Sequence, residues 1–284
     1  MALETLKIGI ITDIHTGPRA SFGGQVRKVT EAAEPLTAAF VERMNGVFEP
    51  DVVMNLGDVV QDLGRAADLL GYGRIFEILS GLKAPMFPLA GNHDLIELEP
   101  EDLIEAWAGL GHLSLEGLGA ERLYYRFELG GWSFVMLHSH EVKDSHIFVD
   151  EAQIAWFERE LEAIEGPAVV FVHHTLADQD TRANHWFKRH PHLALIRERE
   201  AIRALIRDSG KVRAVINGHL HWNNLTTHDG IPYITVQSPI ENALGLDPPR
   251  ACGAWGELVL SQRGLRLVVF GEDPALWSVD FLGG

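Results

Sequence analysis

The chain has 284 residues, of which 46% are hydrophobic and 23% charged, a composition that can bury a full core and excludes global disorder. Its formal net charge of −16 argues against a nucleic-acid backbone or an anionic membrane as the main partner, because both require basic surface, whereas bound cations can reverse the local field for an anionic small substrate. The single cysteine, Cys252, excludes an intramolecular disulfide and a cysteine-based zinc site.

The N-terminal residues, MALETLKIGIITDIH, lack the layout of a signal peptide, and the chain contains no run of about 18 apolar residues. We therefore expect a cytoplasmic protein without a spanning helix.

Strands and helices alternate through the first half of the chain. In chain order the pattern predicts a strand over 6–11, a helix over 26–48, a strand over 51–56, a helix near 65–82, a strand over 85–90 and a helix over 100–109. The second half predicts a hairpin over 123–129 and 132–137, a helix over 150–164, strands over 168–172, 212–216 and 231–236, and a hairpin over 255–260 and 265–270. This order predicts an α/β fold with mixed sheets and helices outside.

Side chains of the kinds that bind metals follow five of the predicted strands, in the segments TDIH, GD, GNHD, HH and GHLH. In open α/β sheets the carboxyl ends of the strands converge on the ligand crevice, so residues far apart in the sequence can share one site. The candidate ligands are Asp13, His15, Asp58, Asn92, His173, His219 and His221.

The last of these segments ends an apolar run on Gly218 and then places two histidines one residue apart. We expect Gly218 to let the backbone leave the strand with dihedral angles that most residues avoid. In an extended chain residues i and i+2 point the same way, so His219 and His221 are expected to face one point, as metal ligands do. The alternative is a pair of surface histidines in a loop.

The number and chemistry of the candidates favour two metal ions. One ion with four to six ligands would leave some candidates unused, whereas two ions sharing one carboxylate use all seven and leave positions for water. Mixed carboxylate, amide and imidazole ligands suit manganese, iron or zinc, and they do not suit copper(I), which prefers sulfur.

In this order the segments D-x-H, GD, GNHD, HH and GHxH resemble the calcineurin-like metallophosphoesterase superfamily, and they span residues 13–221. The resemblance implies a single domain over 1–284, a four-layer αββα sandwich of two mixed sheets flanked by helices. It also implies a binuclear centre. Matched motif by motif, Asp13, His15 and His221 would hold the first metal, Asn92, His173 and His219 the second, and Asp58 would bridge them. The family often carries proline two residues after the ligand in the HH segment; Thr175 stands there instead, so His174 remains an alternative to His173.

The expected chemistry is phosphoester hydrolysis. Two cations about 3.5–4 Å apart can clamp a phosphoryl group and lower the pKa of a bridging water toward about 7, so that hydroxide attacks phosphorus. The leaving oxygen then needs a proton. His93 stands beside Asn92 and is not needed as a ligand, so it is the candidate acid, and Asp94 is expected to accept from its other ring nitrogen. The alternative for His93 is a structural hydrogen bond.

The expected substrate class depends partly on a motif that the chain lacks. Phosphoprotein phosphatases of this superfamily follow GD with DRG and read GNHE, whereas this chain reads GDVVQDLG and GNHD. The GNHD form is similar to the phosphodiesterase-type branch, and the segments DEAQIAWFERELEA, ANHWF and SPIENA give a looser similarity to ADP-ribose/CDP-alcohol diphosphatases. We expect cleavage of a small-molecule phosphodiester or nucleotide pyrophosphate. The alternatives are a phosphomonoesterase, a nuclease, a scaffold on the same fold and an amide hydrolase.

Several other polar and aromatic residues have two interpretations each. His138 and His140 end another strand and either support the metal ligands or belong to a polar loop. Among Arg19, Arg27 and Lys28, any could meet a distal phosphate, but Arg27 and Lys28 are expected on a solvated helix face. Trp186 and Trp222 either stack on a base or, as we expect, pack in the core or at a rim.

Overall fold

Two six-stranded sheets form the centre of the fold in the computed structural model, which describes residues 3–22, 24–110, 122–143 and 145–281. The strands are β1 (Leu6–Ile11), β2 (Ala20–Phe22), β3 (Gln25–Lys28), β4 (Val52–Asn55), β5 (Met86–Pro88), β6 (Tyr125–Leu129), β7 (Trp132–Leu137), β8 (His140–Val142), β9 (His146–Phe148), β10 (Ala168–Val172), β11 (Val212–Asn217), β12 (Asn224–His228), β13 (Ile231–Thr235), β14 (Trp255–Ser261), β15 (Gly264–Phe270) and β16 (Ala275–Asp280). The α-helices are α1 (Ala33–Arg43), α2 (Arg65–Leu79), α3 (Asp94–Glu97), α4 (Pro100–Ala108), α5 (Glu151–Ala163) and α6 (Arg199–Ser209).

Both sheets are mixed, as predicted. The first has the order β16-β15-β14-β1-β4-β5, with β1, β4 and β5 parallel and the three C-terminal strands antiparallel. The second has the order β12-β13-β11-β10-β7-β6, in which the four central strands are parallel and the two edge strands antiparallel. The parallel strands of each sheet therefore end on the same edge.

The main hydrophobic core lies between the two sheets. Ile8 and Ile10 of β1 belong to the same buried cluster as Phe171 of β10 and Ile216 of β11. The opposite side of β1 faces the helical turn that follows α1. A Cβ on Gly9 would lie only 2.6 Å from the sulfur of Met44, the first residue of that turn. This alternation gives the strand a buried residue on both faces, as expected for a sheet covered on both sides.

The outer face of the second sheet is covered by α5 and α6. A second buried cluster joins Val170 and Val215 of the sheet to Phe157 of α5 and to Ile202 and Ile206 of α6. Residues four apart lie on one side of a helix, which explains why Ile202 and Ile206 contact the sheet together. The result is the predicted αββα sandwich.

The structure differs from the predicted elements mainly between residues 26 and 48. Gln25–Lys28 form strand β3, α1 begins only at Ala33, and Met44–Phe48 form a π-helical turn. Pro35 lies in the first turn of α1, where a proline is tolerated, and this explains the late start of the helix. Helices α3 and α6 and strands β2, β8, β9, β12 and β16 were not predicted either. No helix within the described ranges combines the length and apolar character needed to cross a membrane.

Candidate metal centre

The seven candidate ligands lie where parallel strands of the two sheets end. Asp13 and His15 follow β1, Asp58 follows β4 and Asn92 follows β5 in the first sheet, whereas His173 follows β10 and the two remaining histidines follow β11 in the second. All seven residues are at most 9% exposed. Their convergence at one edge agrees with the prediction from the sequence.

The loops that carry these side chains are hydrogen-bonded to each other. The amide of Asp13 donates to Gly57 O and that of His15 donates to Asp58 O, and each hydrogen bond is 2.9 Å long. The amide of His219 donates to the Asp13 carboxylate at 2.9 and 3.1 Å, so the second sheet is tied directly to the first. Backbone contacts therefore fix the positions of the candidate ligands.

Asp13, His15 and His221 form one group, whose potential ligand atoms all lie within 4.8 Å of one another. His15 Nε2 lies 3.0 Å from His221 Nε2, and the latter lies 3.3 Å from Asp13 Oδ1. These are the three residues that the family resemblance groups around a first metal.

The other histidines and Asn92 gather on the far side of Asp58. His173 Nε2 lies 3.2 Å from Asn92 Oδ1 and 3.3 Å from Asp58 Oδ2, and the ring centroid of His219 lies 5.2 Å from that of His173. The same oxygen of Asp58 lies 3.5 Å from His15 Nε2. Asp58 therefore lies between the two groups, at the position where the family resemblance predicts a bridging carboxylate.

Hydrogen bonds to the outer ring nitrogens determine which nitrogen of three imidazoles faces the centre. His173 Nδ1 lies 2.7 Å from Leu56 O, His219 Nε2 lies 2.9 Å from Leu193 O, and His221 Nδ1 lies 2.8 Å from Glu241 Oε2. Each of these nitrogens donates its proton outward, so the inward nitrogen is the one that can offer a lone pair to a metal ion once any proton on it has left. Metal-binding histidines have this arrangement, so the residues present fit a pair of metal ions.

The electrostatics of the centre also depend on burial. Burial, together with His173, lowers the pKa of His219 to about 3, so this ring is neutral and can act as a ligand. Burial alone would lower the pKa of His173, but the charge of Asp58 outweighs it and raises the pKa to about 9. In the metal-free protein a proton on His173 therefore compensates the buried carboxylate.

Five of the candidate ligands adopt backbone conformations that are uncommon outside glycine. The φ angles are 53° at Asp13, 44° at His15, 55° at Asp58, 66° at His219 and 51° at His221. The GHLH segment is therefore not extended, contrary to our expectation. Its left-handed backbone sends His219 to the His173 group and His221 to the Asp13 group instead of aiming both at one point.

Gly218 is required for space, and this corrects the prediction that it would have unusual dihedral angles. Its φ does not lie in the positive region, but a Cβ would come 2.0 Å from Thr12 Oγ1 and 2.5 Å from Asp13 Oδ2. In the same way, a Cβ on Gly91 would lie 2.1 Å from Asp58 Oδ1. Both glycines let a neighbouring loop approach a candidate ligand closely.

His93 lies at the edge of the centre, with a quarter of its side chain exposed to solvent and a ring nitrogen in the same group as His15 and Asp58. Its Nδ1 lies 3.4 Å from Asp62 Oδ1, outside hydrogen-bonding geometry. Asp62 follows Asp58 by four residues and was not singled out in the sequence.

Asp94 does not orient His93, contrary to the prediction. Its carboxylate accepts hydrogen bonds from four backbone amides, those of Asp58, Val59, Val60 and Gly91, at 2.7–3.2 Å. Burial and the nearby Asp58 raise the pKa of Asp94 to about 7, against the effect of these amides. Asp94 therefore shapes the loop that carries Asp58.

A pocket of about 250 Å³ opens over the centre, and its lining includes Asp58, His93, Lys28, Trp186 and Phe187. Lys28 is only 6% exposed, so the prediction of a solvated helix face is wrong: the residue lies on β3, and its side chain enters this pocket. Arg19, by contrast, is exposed and paired with Glu31. Larger pockets elsewhere, of about 410 and 490 Å³, contain none of the candidate ligands.

Three further histidines singled out in the sequence, His138, His140 and His174, follow strands β7 and β10 of the second sheet. His174 Nδ1 lies 2.7 Å from Ser139 Oγ, and its ring centroid is 4.0 Å from that of His219. His138 is buried, and its ring contacts that of His140 at 4.3 Å. Trp222 donates a hydrogen bond from Nε1 to Gln179 Oε1, so its ring nitrogen has a partner within the protein. His173, and not His174, faces Asp58 and Asn92.

Comparisons with known proteins identify the family and the fold of the chain. The family model for calcineurin-like phosphoesterases matches residues 6–223. A protein named "Probable cyclic nucleotide phosphodiesterase" from Synechococcus sp. is 26% identical over 275 residues, covering 92% of this chain and 89% of that protein. One of the same name from Psychrobacter arcticus is 24% identical over 232 residues, covering 80% and 78%. A dimetal phosphatase from Danio rerio has the same fold, with a TM-score of 0.77 at 15% identity, covering 97% and 99%.

Proposed function

The chain belongs to the calcineurin-like phosphoesterase family and is a metallophosphoesterase, and we propose that it hydrolyses small phosphodiesters, with cyclic nucleotides as the first candidates and nucleotide pyrophosphates as the second. The position of Asp58 between two groups of inward-facing imidazoles carries this proposal. We further propose that residues 1–284 act as one catalytic domain.

The proposed ligands are those implied by the family resemblance. Asp13, His15 and His221 would hold one ion; Asn92, His173 and His219 would hold the other; Asp58 would contact both. Manganese, iron and zinc suit this donor set. When bound, the ions would supply positive charge for the phosphoryl oxygens and a hydroxide nucleophile at neutral pH.

The protein's own contribution to bond cleavage would come from His93. Its ring is part-exposed at the pocket and close to Asp58, so it can reach a leaving oxygen on a substrate bound in the pocket. We propose that His93 donates a proton to that oxygen and that Asp62 favours the ring orientation in which it can do so.

The proposed preference for diesters rests on the aromatic lining of the pocket, on a motif that the chain lacks and on the names of its relatives. Trp186 and Phe187 line one side of it, and an aromatic wall suits a nucleoside. The missing DRG element separates the chain from phosphoprotein phosphatases, and the relatives named as probable cyclic nucleotide phosphodiesterases support the same substrate class.

One screen tests this proposal. Metal-free protein is reloaded with manganese and assayed side by side on bis(p-nitrophenyl) phosphate, p-nitrophenyl phosphate, cyclic nucleotides and ADP-ribose, with Asp58→Asn as the inactive control. We expect the highest kcat/KM on a diester or pyrophosphate. If p-nitrophenyl phosphate exceeds all the others, the protein is a phosphomonoesterase and the proposal is wrong.

A further inference from the structure

Lys28 is a buried lysine whose ammonium group lies beside the metal centre. Its Nζ is 3.3 Å from His15 Nε2 and 3.4 Å from His15 Nδ1, and it lies 5.2 Å from the centre of the Trp186 ring. The two nearly equal distances to His15 show that the ammonium lies beside the ring rather than along one lone pair. The group is therefore not committed to a hydrogen bond with His15.

The backbone holds Lys28 firmly against the centre. The backbone of Lys28 pairs with that of Glu241 in an isolated antiparallel β-bridge, the amide of Val29 donates to Ile240 O at 2.7 Å, and the amide of Asn242 donates to Arg27 O at 2.6 Å. Glu241 in turn accepts from His221 Nδ1 and from Trp186 Nε1. The segment 240–242 thus positions three side chains around the pocket: the candidate ligand His221, the aromatic Trp186 and Lys28.

No carboxylate within the described ranges lies within 4.0 Å of Lys28 Nζ. Lysine is rarely buried unless it is paired, because an isolated ammonium loses its hydration. The pocket that it lines is therefore the place where an anion would supply the missing partner.

We propose that Lys28 binds a non-bridging oxygen of the phosphoryl group under attack and so acts as a substrate-binding residue. Because Nζ lies 3.3 Å from His15 Nε2, a nitrogen that faces Asp58 and His221, it is adjacent to the proposed metal positions, where the reacting phosphoryl group must bind. A distal phosphate group of the substrate, which the sequence analysis considered as the partner of Lys28, would lie farther from the proposed metal positions than the group under attack. A lysine provides a compact charge with three donors, which suits a tetrahedral oxyanion.

This inference rests on the proposed function, but it can be tested without turnover. Inorganic phosphate is titrated into manganese-loaded protein by calorimetry, with the metal content of each sample measured in parallel. The variants are Lys28→Met, which has nearly the same length without charge, and Lys28→Arg, which keeps the charge. Lys83→Met is the matched control, because Lys83 is exposed and precedes β5, at the opposite end of the strand from Asn92.

We expect Lys28→Met to keep two metals and bind phosphate about 10–100-fold more weakly, the range for loss of a hydrogen bond to a charged group. Lys28→Arg should recover part of the affinity, and Lys83→Met should match the wild type. The inference is wrong if the wild type does not bind phosphate, if Lys28→Met binds it within twofold of the wild type, or if Lys28→Met loses metal. Phosphate binding without diester hydrolysis would refute the proposed function alone.

Discussion

The Nε2 atoms of His15 and His221 lie 3.0 Å apart, on two rings that come from different sheets. His221 donates its Nδ1 proton to Glu241, so Nε2 is the ring nitrogen that lies toward His15 and Asp13. Two ring nitrogens at this distance need a proton or a cation between them, because lone pairs repel. A metal ion held between them would satisfy both nitrogens and the Asp13 oxygen beside them.

The first prediction is that the active protein contains about two transition-metal ions per chain. Asp58→Ala should lose more metal and more activity than any other single ligand variant, because its carboxylate lies near both groups of imidazoles. Elemental analysis of each purified variant measures this. One ion or fewer in fully active wild-type protein would refute the binuclear centre.

The second prediction concerns Glu241, which holds the outer nitrogen of His221. Glu241→Ala should weaken manganese binding about 10–100-fold, the usual effect of removing a partner that orients a ligand. Glu241→Gln should lose less, since its amide oxygen still accepts from Nδ1. Competition with a chelator of known affinity gives the numbers, and equal affinities for wild type and Glu241→Ala would mean that the contact has no role in metal binding.

The third prediction is that His93→Ala keeps both metals but lowers kcat about 10²–10⁴-fold on substrates with poor leaving groups, the range for general acid catalysis. The loss should be much smaller with p-nitrophenyl esters, because p-nitrophenolate departs without a proton. Equal losses on both kinds of substrate would indicate that His93 stabilises charge or structure instead.

The fourth prediction separates the two carboxylates near His93. Asp62→Asn should lower kcat on poor leaving groups, and it should cause no further loss in a His93→Ala background, because Asp62 acts through that ring. Asp94→Asn should instead reduce metal content and thermal stability, since its carboxylate accepts from four backbone amides. Additive losses for Asp62→Asn and His93→Ala would show that the two residues act independently.

The fifth prediction concerns pH and metal removal. The pKa of His173 is about 9 in the folded protein, where Asp58 outweighs the effect of burial, and about 6.5 in the unfolded chain. The stabilisation is complete below pH 6.5 and disappears as the pH rises through about 9, so the unfolding free energy of the metal-free protein should fall by about 1–3 kcal/mol over this range.

Urea denaturation in the presence of a chelator, at a series of pH values, measures that decrease. Asp58→Asn is the control, because it removes the charge that raises the pKa of His173. A wild type whose stability rises from pH 6.5 to 9, or a slope that is unchanged in Asp58→Asn, would contradict the prediction.

The convergence of the candidate ligands could be predicted from the sequence because each one follows an apolar strand by only a few residues. In parallel strands that short distance determines the edge on which a side chain lies. The partners of those ligands could not be predicted in this way. Lys28 on β3, and Asp62 and Glu241 in loops, reach the centre along paths that depend on distant contacts, such as that between Asn242 and Arg27.

The left-handed backbone at Asp13, His15, Asp58, His219 and His221 implies a conflict between activity and durability. A non-glycine residue in this conformation costs of order 1–3 kcal/mol, so the five together are a large burden on a fold of ordinary stability. Variants selected only for heat resistance should therefore acquire glycine or asparagine at these positions and lose their metals. The residues that would perform the chemistry are thus the ones that a stability screen would discard first.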